Sequence, residues 1–179
     1  MFKNLEFYNL IDCSTDIKRM IWKWRNNPDI SKFMLNPKRF TFKQHLAFVE
    51  SLKEKKDKLF FIVKYKDLFI GLIDFYDLQS PVGFWGYYLN PEFLNSSYGI
   101  MLEYIVCEYA FNTLHLTDLK CETFDFNERA LAIHKEFGFE DIGNAYYIGR
   151  AKSKIQCLKK DIWEVNKPKF SFVERFFND

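Results

Sequence analysis

The sequence predicts a mixed α/β fold, on the evidence of its length, a hairpin pattern and a strand–turn–helix pattern. Its 179 residues suit one domain with a real core. Aromatic and apolar residues at 84–89 favour a strand, which ends at the Asn90-Pro91 turn. From Ser97 the pattern becomes helical, and the apolar face of this helix comprises Leu102, Ile105, Val106 and Tyr109. Since a crossover helix connects parallel strands, we expect 84–89 to pair in parallel with 116–126.

Several other segments also carry the alternating or aromatic-rich pattern of strands. All predicted strands, in order, span 5–10, 59–65, 68–76, 84–89, 116–126, 142–149 and 154–165. The short turn Lys66-Asp67 joins the second strand to the third as an antiparallel hairpin. The last two strands are expected to close the body of the domain.

Two helices are predicted between the first and second strands. Ser14 caps the first helix, which ends at the Asn26-Asn27-Pro28 turn. Its apolar face contains Ile17, Met20, Ile21 and Trp24. The capping box Thr41-x-x-Gln44 opens the second helix. The residues of that helix expected to point inward are Phe42, Leu46, Val49 and Leu52.

Two more helices are predicted in the C-terminal third. One spans 127–137 and ends at Gly138, a residue that readily adopts the left-handed conformation of a helix C-terminus. The other follows Pro168, where Ser171-x-x-Glu174 has the form of a capping box. Its apolar face contains Phe170, Val173 and Phe177. This last helix is expected to dock on the body of the chain or on a second subunit.

Composition excludes several classes of protein. The net charge of +2, with no dense basic stripe, argues against nucleic-acid binding. The four cysteines, Cys13, Cys107, Cys121 and Cys157, are too widely spaced for a zinc site and are expected to be buried thiols. Neither a signal peptide nor an apolar run of the ~18 residues needed for a membrane span is recognisable. We therefore expect a cytoplasmic protein with no bound metal and no membrane association.

A motif in the C-terminal half leads to a family resemblance. It reads Asn127-x-x-Ala130-x-x-x-His134-x-x-x-Gly138-Phe139. With the order of the elements, it resembles the GNAT superfamily of acetyl-CoA-dependent N-acetyltransferases. The resemblance covers about residues 5–165 and implies a mixed central sheet of about seven strands with four main helices, splayed between the fourth and fifth strands. It also implies one acetyltransferase domain at 1–166 and a C-terminal tail at 167–179.

The first motif of that superfamily is only partly present. Leu94 stands where Arg or Gln is usual, and Ser97 stands where the first Gly is usual, whereas Gly99 matches. The N-terminal part narrows the resemblance through Trp24-Arg25-Asn26-Asn27-Pro28 and His45-Leu46-x-Phe48. These segments are similar to the UDP-4-amino-4,6-dideoxy-N-acetyl-β-L-altrosamine N-acetyltransferases of pseudaminic acid biosynthesis, which serves flagellin glycosylation.

That resemblance implies direct transfer of acetyl from acetyl-CoA to the 4-amino group of a UDP-linked amino-dideoxy sugar. Two alternatives stay open. One is acetylation of a ribosomal-protein or peptide N-terminus or of another small amine. The other is a non-catalytic domain that binds acyl-CoA, which the departures from the family motifs favour. The expected partners are a nucleotide sugar and, in a homodimer, a second copy of the chain.

The resemblance places acetyl-CoA along the fourth strand and the helix that follows it. The residues expected to contact it are Tyr87, Leu89, Ser96, Ser97, Tyr98, Gly99, Ile100 and Asn127. The first N–H groups of a helix lack intrahelical partners and lie at the positive end of its dipole, so amides 97–100 can bind the diphosphate. A plain strand–turn–helix without a ligand is the alternative. Asn127 can bind the pantetheine arm or cap its own helix.

Three residues are candidates for proton transfer. His134 stands where the family usually has the tyrosine that protonates the departing thiolate, and a neutral imidazole still carries one N–H. Asp74 and Glu122 interrupt apolar strands and are candidate bases, because burial in a cleft would raise their pKa values. The alternatives are a histidine on a helix face without a chemical role and two solvated strand carboxylates.

Four residues are candidates for binding the nucleotide sugar. The guanidinium group of Arg25 matches phosphate oxygens, and His45 lies in the adjoining motif. Trp85 and Tyr88 can wall the sugar or stack on the uracil ring. Arg25 can instead interact with the C-terminal end of its own helix.

Overall fold

The computed structural model of the chain describes residues 3–79 and 81–178, so part of the predicted domain and the last residue of the predicted tail lie outside it. Its seven-stranded mixed sheet confirms the predicted α/β class and has the order β1-β2-β3-β4-β5-β7-β6. The strands are β1 Leu5–Asn9, β2 Leu59–Tyr65, β3 Leu68–Gln79, β4 Val82–Leu89, β5 Asp118–Phe124, β6 Glu140–Ala145 and β7 Ser153–Lys159. The helices are α1 Thr15–Arg25, α2 Pro28–Ser31, α3 Phe42–Ser51, α4 Tyr98–Glu108, α5 Glu128–Phe137, α6 Lys160–Asn166 and α7 Ser171–Asn178.

The junction between β4 and β5 determines the shape of the sheet. As predicted, these strands are parallel, but they pair only from Val82 opposite Asp118 to Phe84 opposite Lys120. Beyond Phe84 the strands separate, as the predicted splay between the fourth and fifth strands requires. All other neighbouring strands pair antiparallel. The separation leaves unpaired backbone along the second half of β4, where a ligand can add hydrogen bonds.

The caps predicted for the first two helices are confirmed. The Ser14 hydroxyl accepts a hydrogen bond from the amide of Ile17, and Thr41 and Gln44 form both halves of a capping box. The predicted inward face of α3 is wrong in one position. Leu46 is 36 % exposed, whereas His45 is 3 % exposed and packs between aromatic rings. The short helix α2 was not predicted, although Asn27 caps it and Pro28 occupies its first turn.

Helix α4 is the central helix, and nearly its whole circumference is buried. The predicted apolar face is confirmed for Leu102, Ile105 and Val106, but Met101, Glu103, Tyr104 and Cys107 on the other sides are buried too. The chain continues past α4 as a π-helical turn at Tyr109–Thr113, which contains Tyr109 of the predicted face. A helix enclosed on all sides can hold a polar side chain away from water, and Glu103 is such a side chain.

Several predicted strand boundaries are corrected. Strand β1 ends at Asn9, β3 extends to Gln79, and β5 is shorter than the predicted 116–126. The predicted strand at 142–149 is β6, Glu140–Ala145. The largest error concerns 154–165, because the strand ends at Lys159 and α6 follows directly. The cause is Trp163, which α6 buries against α5, while Ile162 and Val165 remain partly or largely exposed.

The C-terminal helix docks on the body of the same chain. Phe170, Val173 and Phe177 are buried in the main core, as the predicted apolar face requires. The predicted capping box requires Ser171 to precede the helix, but Ser171 is already the first residue of α7. The Glu174 carboxylate instead accepts a hydrogen bond from the hydroxyl of Tyr104 at 2.5 Å.

Gly138, which ends α5 with φ of +101°, provides a test of the fold. A Cβ at this position would lie 2.5 Å from Asn166 Nδ2 and 2.8 Å from Ile162 Cγ2, in addition to the cost of the left-handed backbone. We expect Gly138→Ala to lower the free energy of unfolding by about 2–4 kcal/mol, measured by urea denaturation.

Gly149→Ala is the matched control, because Gly149 has φ of +70° with no atom within 4 Å of an added Cβ. Gly149→Ala should lower the free energy of unfolding only by the cost of alanine in the left-handed conformation, about 1 kcal/mol. An equal effect of the two substitutions would show that the packing of α6 against Gly138 contributes nothing.

Candidate functional site

A cavity of about 710 Å³ lies where β4 and β5 separate. It is lined from both sides of the sheet, because side chains alternate between faces along each strand. Trp85 packs on His134 and Phe139 on the α4 side, whereas the neighbouring Gly86 lies against Asp74 on the side of α1 and α3. The residues of the predicted site that line the cavity are Arg25, His45, Asp74, Trp85, Tyr87, Tyr88, Leu89, Gly99, Glu122, Asn127 and His134.

The remaining predicted residues, Ser96, Ser97, Tyr98 and Ile100, lie beside the cavity at the N-terminal end of α4. The hydroxyl of Ser96 accepts a hydrogen bond from the amide of Tyr98 at 3.2 Å and donates one to the carbonyl of Phe93 at 2.7 Å. The amide of Tyr98 is therefore already used within the turn. The amides of Gly99 and Ile100 belong to the first turn of the helix, which has no intrahelical acceptors to offer them.

Arg129 holds this turn in place, a role that sequence reasoning missed. Its two terminal nitrogens donate to the carbonyl oxygens of Leu94 and Ser96, each at 2.9 Å. Arg129 also lines the cavity, so a positive charge from α5 reaches the end of α4 where Leu94 replaces the usual arginine or glutamine. Arg129 lies between Asn127 and Ala130 of the second motif, but the motif itself predicts no role for that position.

Asn127 occupies the position before α5, but its side chain makes no capping hydrogen bond. The side chain lines the cavity, so the capping role considered for it is not used. Tyr87 and Leu89 point to the same side as Gly99, where an added Cβ would lie 3.5 Å from the hydroxyl of Tyr87 and 3.9 Å from Leu89 Cδ1. These are ordinary contact distances, so no close protein contact requires the glycine there.

His134 is buried at the cavity wall with both ring nitrogens near other polar groups. Its Nδ1 lies 2.8 Å from Oε1 of Gln156, whose amide nitrogen donates to Asp141 at 3.0 Å. This orientation of Gln156 requires Nδ1 to be the donor, so the imidazole carries its hydrogen there. Burial lowers the pKa of His134 to about 4, against the opposing effect of the Gln156 hydrogen bond, and the ring is neutral at pH 7.

Two further groups flank the His134 ring. Cys121 Sγ, which lines the cavity, lies 3.7 Å from Nδ1. Glu103 Oε2 lies 3.7 Å from Nε2 and is fully buried. Burial raises the pKa of Glu103 and that of the Cys121 thiol well above their usual values. The Cys121 thiol is therefore protonated at neutral pH and is a poor nucleophile in this setting.

Asp74 is the carboxyl with the clearest basic character. It faces Gly86 across the β3–β4 ladder, and a Cβ at Gly86 would lie 3.2 Å from its Oδ1. Burial raises the pKa of Asp74 to about 7, while the positive charges of Lys58 and Arg25 act in the opposite direction. A carboxyl with such a pKa can accept a proton near neutral pH.

Glu122 lies on the same side of the sheet as Asp74 but in a different environment. Its Oε1 accepts hydrogen bonds from the hydroxyl of Tyr147, at 2.8 Å, and from the hydroxyl of Ser153. Both donors fix the orientation of the carboxyl group. Glu122 is thus a well-positioned acidic side chain at the cavity.

Arg25 and His45 lie on the α1–α3 side of the cavity. Arg25 donates to the carbonyl of Asn36 at 2.7 Å, while its Nη1 is buried without a hydrogen-bond partner among the described residues. Both nitrogens of the His45 ring also lack a partner within that part of the chain. Burial lowers the pKa of His45 to about 4. Both side chains therefore retain hydrogen-bonding capacity that a polar ligand can use.

Trp85 and Tyr88 do not lie together as walls of one subsite. Trp85 is 2 % exposed and stacks on Tyr87, with ring centroids 5.6 Å apart, on the α4 side. Tyr88 packs with the smaller core cluster on the other side of the sheet, near Arg25. The two rings are on opposite faces of β4, so they cannot both stack on the same ligand ring.

The connection between β6 and β7 contacts the segment after α2 on the α1–α3 side of the cavity. Arg150, from the connection between β6 and β7, donates to the carbonyl of Met34 at 3.1 Å and lies over the ring of Phe124. Phe33 stacks on Phe126, with centroids 5.8 Å apart. These contacts join the segment after α2, which includes the lining residues Phe33 and Met34, to the end of β5, and sequence reasoning did not predict them.

No cluster of three or more histidine, cysteine, aspartate or glutamate side chains has the geometry to hold a metal ion within residues 3–79 and 81–178. No helix in those ranges combines the length and apolarity needed to cross a bilayer.

Comparison with known proteins agrees with this geometry. Residues 10–140 match the model of the acetyltransferase (GNAT) domain family. A curated relative, the acetyltransferase PseH of Campylobacter jejuni serotype O:23/36, is 31 % identical over 157 residues, which cover 86 % of this chain and 98 % of the relative.

Two solved structures have a similar fold. The C. jejuni N-acetyltransferase PseH in complex with acetyl coenzyme A gives a TM-score of 0.72 with 24 % identity, covering 87 % of this chain and 99 % of that one. The spermidine N-acetyltransferase of Vibrio cholerae in complex with CoA and spermine gives a TM-score of 0.79 with 16 % identity, covering 90 % and 98 %.

Proposed function

The chain belongs to the acetyltransferase (GNAT) domain family, and from this premise we propose that it transfers acetyl from acetyl-CoA to the amino group of a nucleotide-linked amino sugar. The relatives named acetyltransferase PseH, aligned over 86 % of the chain, support this reaction in the pseudaminic acid pathway. The 4-amino group of a UDP-linked amino-dideoxy sugar is the acceptor we infer. The observation that carries the proposal is the cavity at the β4–β5 separation, which extends from the N-terminal end of α4 to the polar side chains of Arg25, His45 and Asp74.

The α4 side of the cavity is suited to the coenzyme. We assign the diphosphate to the free amides of the first turn of α4, at Gly99 and Ile100, with Arg129 adding a positive charge. The backbone of Tyr87 and Leu89 lies along the unpaired half of β4 and can align the pantetheine arm and polarise the acetyl carbonyl. Asn127 also lines the cavity, and we assign its side-chain amide to the pantetheine arm.

The α1–α3 side is suited to the acceptor. Arg25 has a buried Nη1 without a protein partner, which can donate to a phosphate oxygen. His45 presents two unused ring nitrogens, and Tyr88 provides an aromatic face on the same side. Asp74 lines the cavity opposite Gly86 of β4, and we place the acceptor amine beside it.

The reaction then needs two proton transfers. We assign removal of the amine proton to Asp74, so that the nitrogen lone pair can attack the acetyl carbonyl. As the C–N bond forms and the C–S bond breaks, we assign protonation of the departing thiolate to His134. Glu122 is the alternative base, and its bonds to Tyr147 and Ser153 make it the better orienting group.

The direct test is a thiol-release assay with purified protein, acetyl-CoA and a panel of amines. The panel contains UDP-4-amino sugars, a peptide with a free N-terminus, and spermidine. We expect release of free CoA thiol with at least one UDP-4-amino sugar and a much lower rate with the other amines. Turnover confined to the peptide or spermidine would overturn the choice of acceptor, and binding of acetyl-CoA without turnover of any amine would indicate a non-catalytic domain.

Arg129 gives a prediction about the coenzyme. We expect Arg129→Ala to weaken acetyl-CoA binding about tenfold, measured as Kd by calorimetry, because the turn at Leu94 and Ser96 loses two hydrogen bonds and the site loses a positive charge. Arg129→Lys keeps the charge but loses the bidentate contact, so its Kd for acetyl-CoA should lie between those of the parent and Arg129→Ala.

Leu94→Arg in the Arg129→Ala background tests whether one arginine can replace the other. We expect it to recover part of the lost affinity, since Leu94 is where the resembled family usually has arginine or glutamine. An unchanged Kd in Arg129→Ala would remove Arg129 from the binding site.

Two further parts of the proposal concern the state of the protein. We propose a homodimer, supported by exposed apolar side chains such as Val165 and Phe172 on the C-terminal helices. We also propose a cytoplasmic location, supported by the buried free thiols of Cys107 and Cys121, which are usual in reducing compartments. Residues 1–166 constitute the proposed acetyltransferase unit.

A further inference from the structure

Glu103 is an acidic side chain in the centre of the protein. It lies on α4, is 0 % exposed, and neither carboxyl oxygen has a hydrogen-bond partner within residues 3–79 and 81–178. A buried and unsatisfied carboxyl is costly, so its presence calls for an explanation. Its Oε2 lies 3.7 Å from Nε2 of His134, the residue assigned above to protonation of the thiolate.

The two nitrogens of the His134 ring face different groups. Nδ1 carries the hydrogen, because Gln156 can only accept from it while donating to Asp141. Nδ1 also lies 3.7 Å from Sγ of Cys121, which lines the cavity. Nε2 therefore carries the lone pair and faces Glu103, on the side of the ring that is enclosed by the core. The ring separates a buried acid from the cavity.

We propose that Glu103 is a positioning residue that acts through His134 by donating a proton to its imidazole ring. In the proposed step, the hydrogen on Nδ1 leaves Gln156 Oε1 and passes to the sulfur as the thioester C–S bond breaks and an S–H bond forms, while the Glu103 carboxyl gives its proton to Nε2. Glu103 is left as a carboxylate that faces the Nε2–H of a neutral imidazole. The proton that Asp74 takes from the amine returns to Nδ1 through water in the cavity, and Nε2 then gives its hydrogen back to Glu103. This inference rests on the acid role proposed for His134.

The charge state of the surroundings is compatible with this arrangement. Burial lowers the pKa of His134 to about 4, so the imidazole is neutral at pH 7, and burial raises the pKa of Glu103, which favours the protonated carboxyl that the proposal requires. The titratable groups that face them are Tyr87 from β4, Cys107 from α4 and Cys121 from β5. Burial raises the pKa of each, so they are uncharged as well.

The distance between Glu103 and His134 is the limiting feature. At 3.7 Å it is too long for a hydrogen bond. Catalytic hydrogen bonds are often long without substrates and shorten in the complex. A movement of less than about 1 Å would bring the two atoms into hydrogen-bonding range.

The experiment compares Glu103→Gln and Glu103→Asp with the parent protein. Glutamine has the size of glutamate and can donate an N–H to Nε2, but it has no acidic proton to give. We expect Glu103→Gln to lower kcat at least tenfold while the Kd for acetyl-CoA and the Tm change little. Aspartate retains the acid at a greater distance and should recover part of kcat.

A proton inventory in mixtures of H₂O and D₂O distinguishes this role from a structural one. The parent should give a curved dependence of kcat on the deuterium fraction, because two protons move together, and Glu103→Gln should give a linear one. If Glu103→Gln has the same kcat and the same curved dependence on the deuterium fraction as the parent, the inference is overturned and the proposed acetyltransferase function is left intact.

A measurement without turnover covers the case in which the parent acetylates none of the amines tested. The ¹⁵N resonance of His134 Nε2 in the ligand-free protein should shift on Glu103→Gln, because the group that faces the lone pair has changed. An unchanged resonance would overturn the inference regardless of activity, and failure of the parent in the amine panel would overturn the proposed function instead.

Discussion

Replacing His134 with alanine is expected to lower kcat by roughly 10²-fold or more while the Kd for acetyl-CoA changes far less. The reason is that we assign protonation of the departing thiolate to the imidazole, and such proton transfers contribute about 10²–10⁴-fold. Its contacts are with Gln156, Glu103 and Trp85 rather than with the helix end assigned to the diphosphate. The measurement is steady-state turnover with parallel calorimetry of acetyl-CoA binding.

Alanine also leaves a cavity at a buried site, so size-matched variants are needed. His134→Phe fills the space without a donor, and His134→Tyr supplies the hydroxyl that the resembled family usually has at this position. We expect the tyrosine variant to be substantially more active than the phenylalanine variant. Equal kcat in the phenylalanine variant and the parent would remove His134 from the mechanism.

Replacing Asp74 with asparagine is expected to lower kcat/KM for the amine by roughly 10²-fold and to abolish the acid limb of its pH profile. Burial raises the pKa of Asp74 to about 7, and a base works only when it is ionised. In the parent, kcat/KM should therefore fall as pH decreases through about 7. The measurement is the pH dependence of kcat/KM with saturating acetyl-CoA.

Lys58 provides a second test of this assignment. Its positive charge lowers the pKa of Asp74, in opposition to burial, so Lys58→Gln should raise that pKa and move the acid limb to higher pH. Glu122→Gln is the competing variant. If Glu122 is the base, its replacement removes the acid limb while Asp74→Asn and Lys58→Gln leave the limb where it is.

Local signals explain which parts of the fold were predictable. Ser14 and Thr41 mark helix starts through hydrogen bonds within a few residues, so they can be read from the sequence and are confirmed. The β7–α6 boundary at Lys159 is different, because it depends on the packing of Trp163 against Phe137 of another helix. Such contacts between distant residues leave no periodic pattern to read.

In the candidate site, too, residues with a local sequence signal were predicted and residues that depend on distant contacts were not. Asp74 attracted attention because it interrupts an apolar strand, and it lines the cavity. Glu103 was overlooked because the sequence indicated one apolar face for α4, whereas the structure buries the helix on nearly all sides. Arg129 was overlooked because its partners are main-chain oxygens of Leu94 and Ser96, which no side-chain pattern reveals.

The narrow junction of β4 and β5 has a mechanical consequence. A sheet joined by three residue pairs offers little stiffness against a change of angle between its halves. We expect the C-terminal helices to add stiffness, because Trp163 stacks on Phe137 of α5 and donates to Glu108 of α4, and Tyr65 of β2 donates to the carbonyl of Phe176. Substitutions in these helices are therefore expected to change the width available to a bulky acceptor without altering the residues that line the cavity.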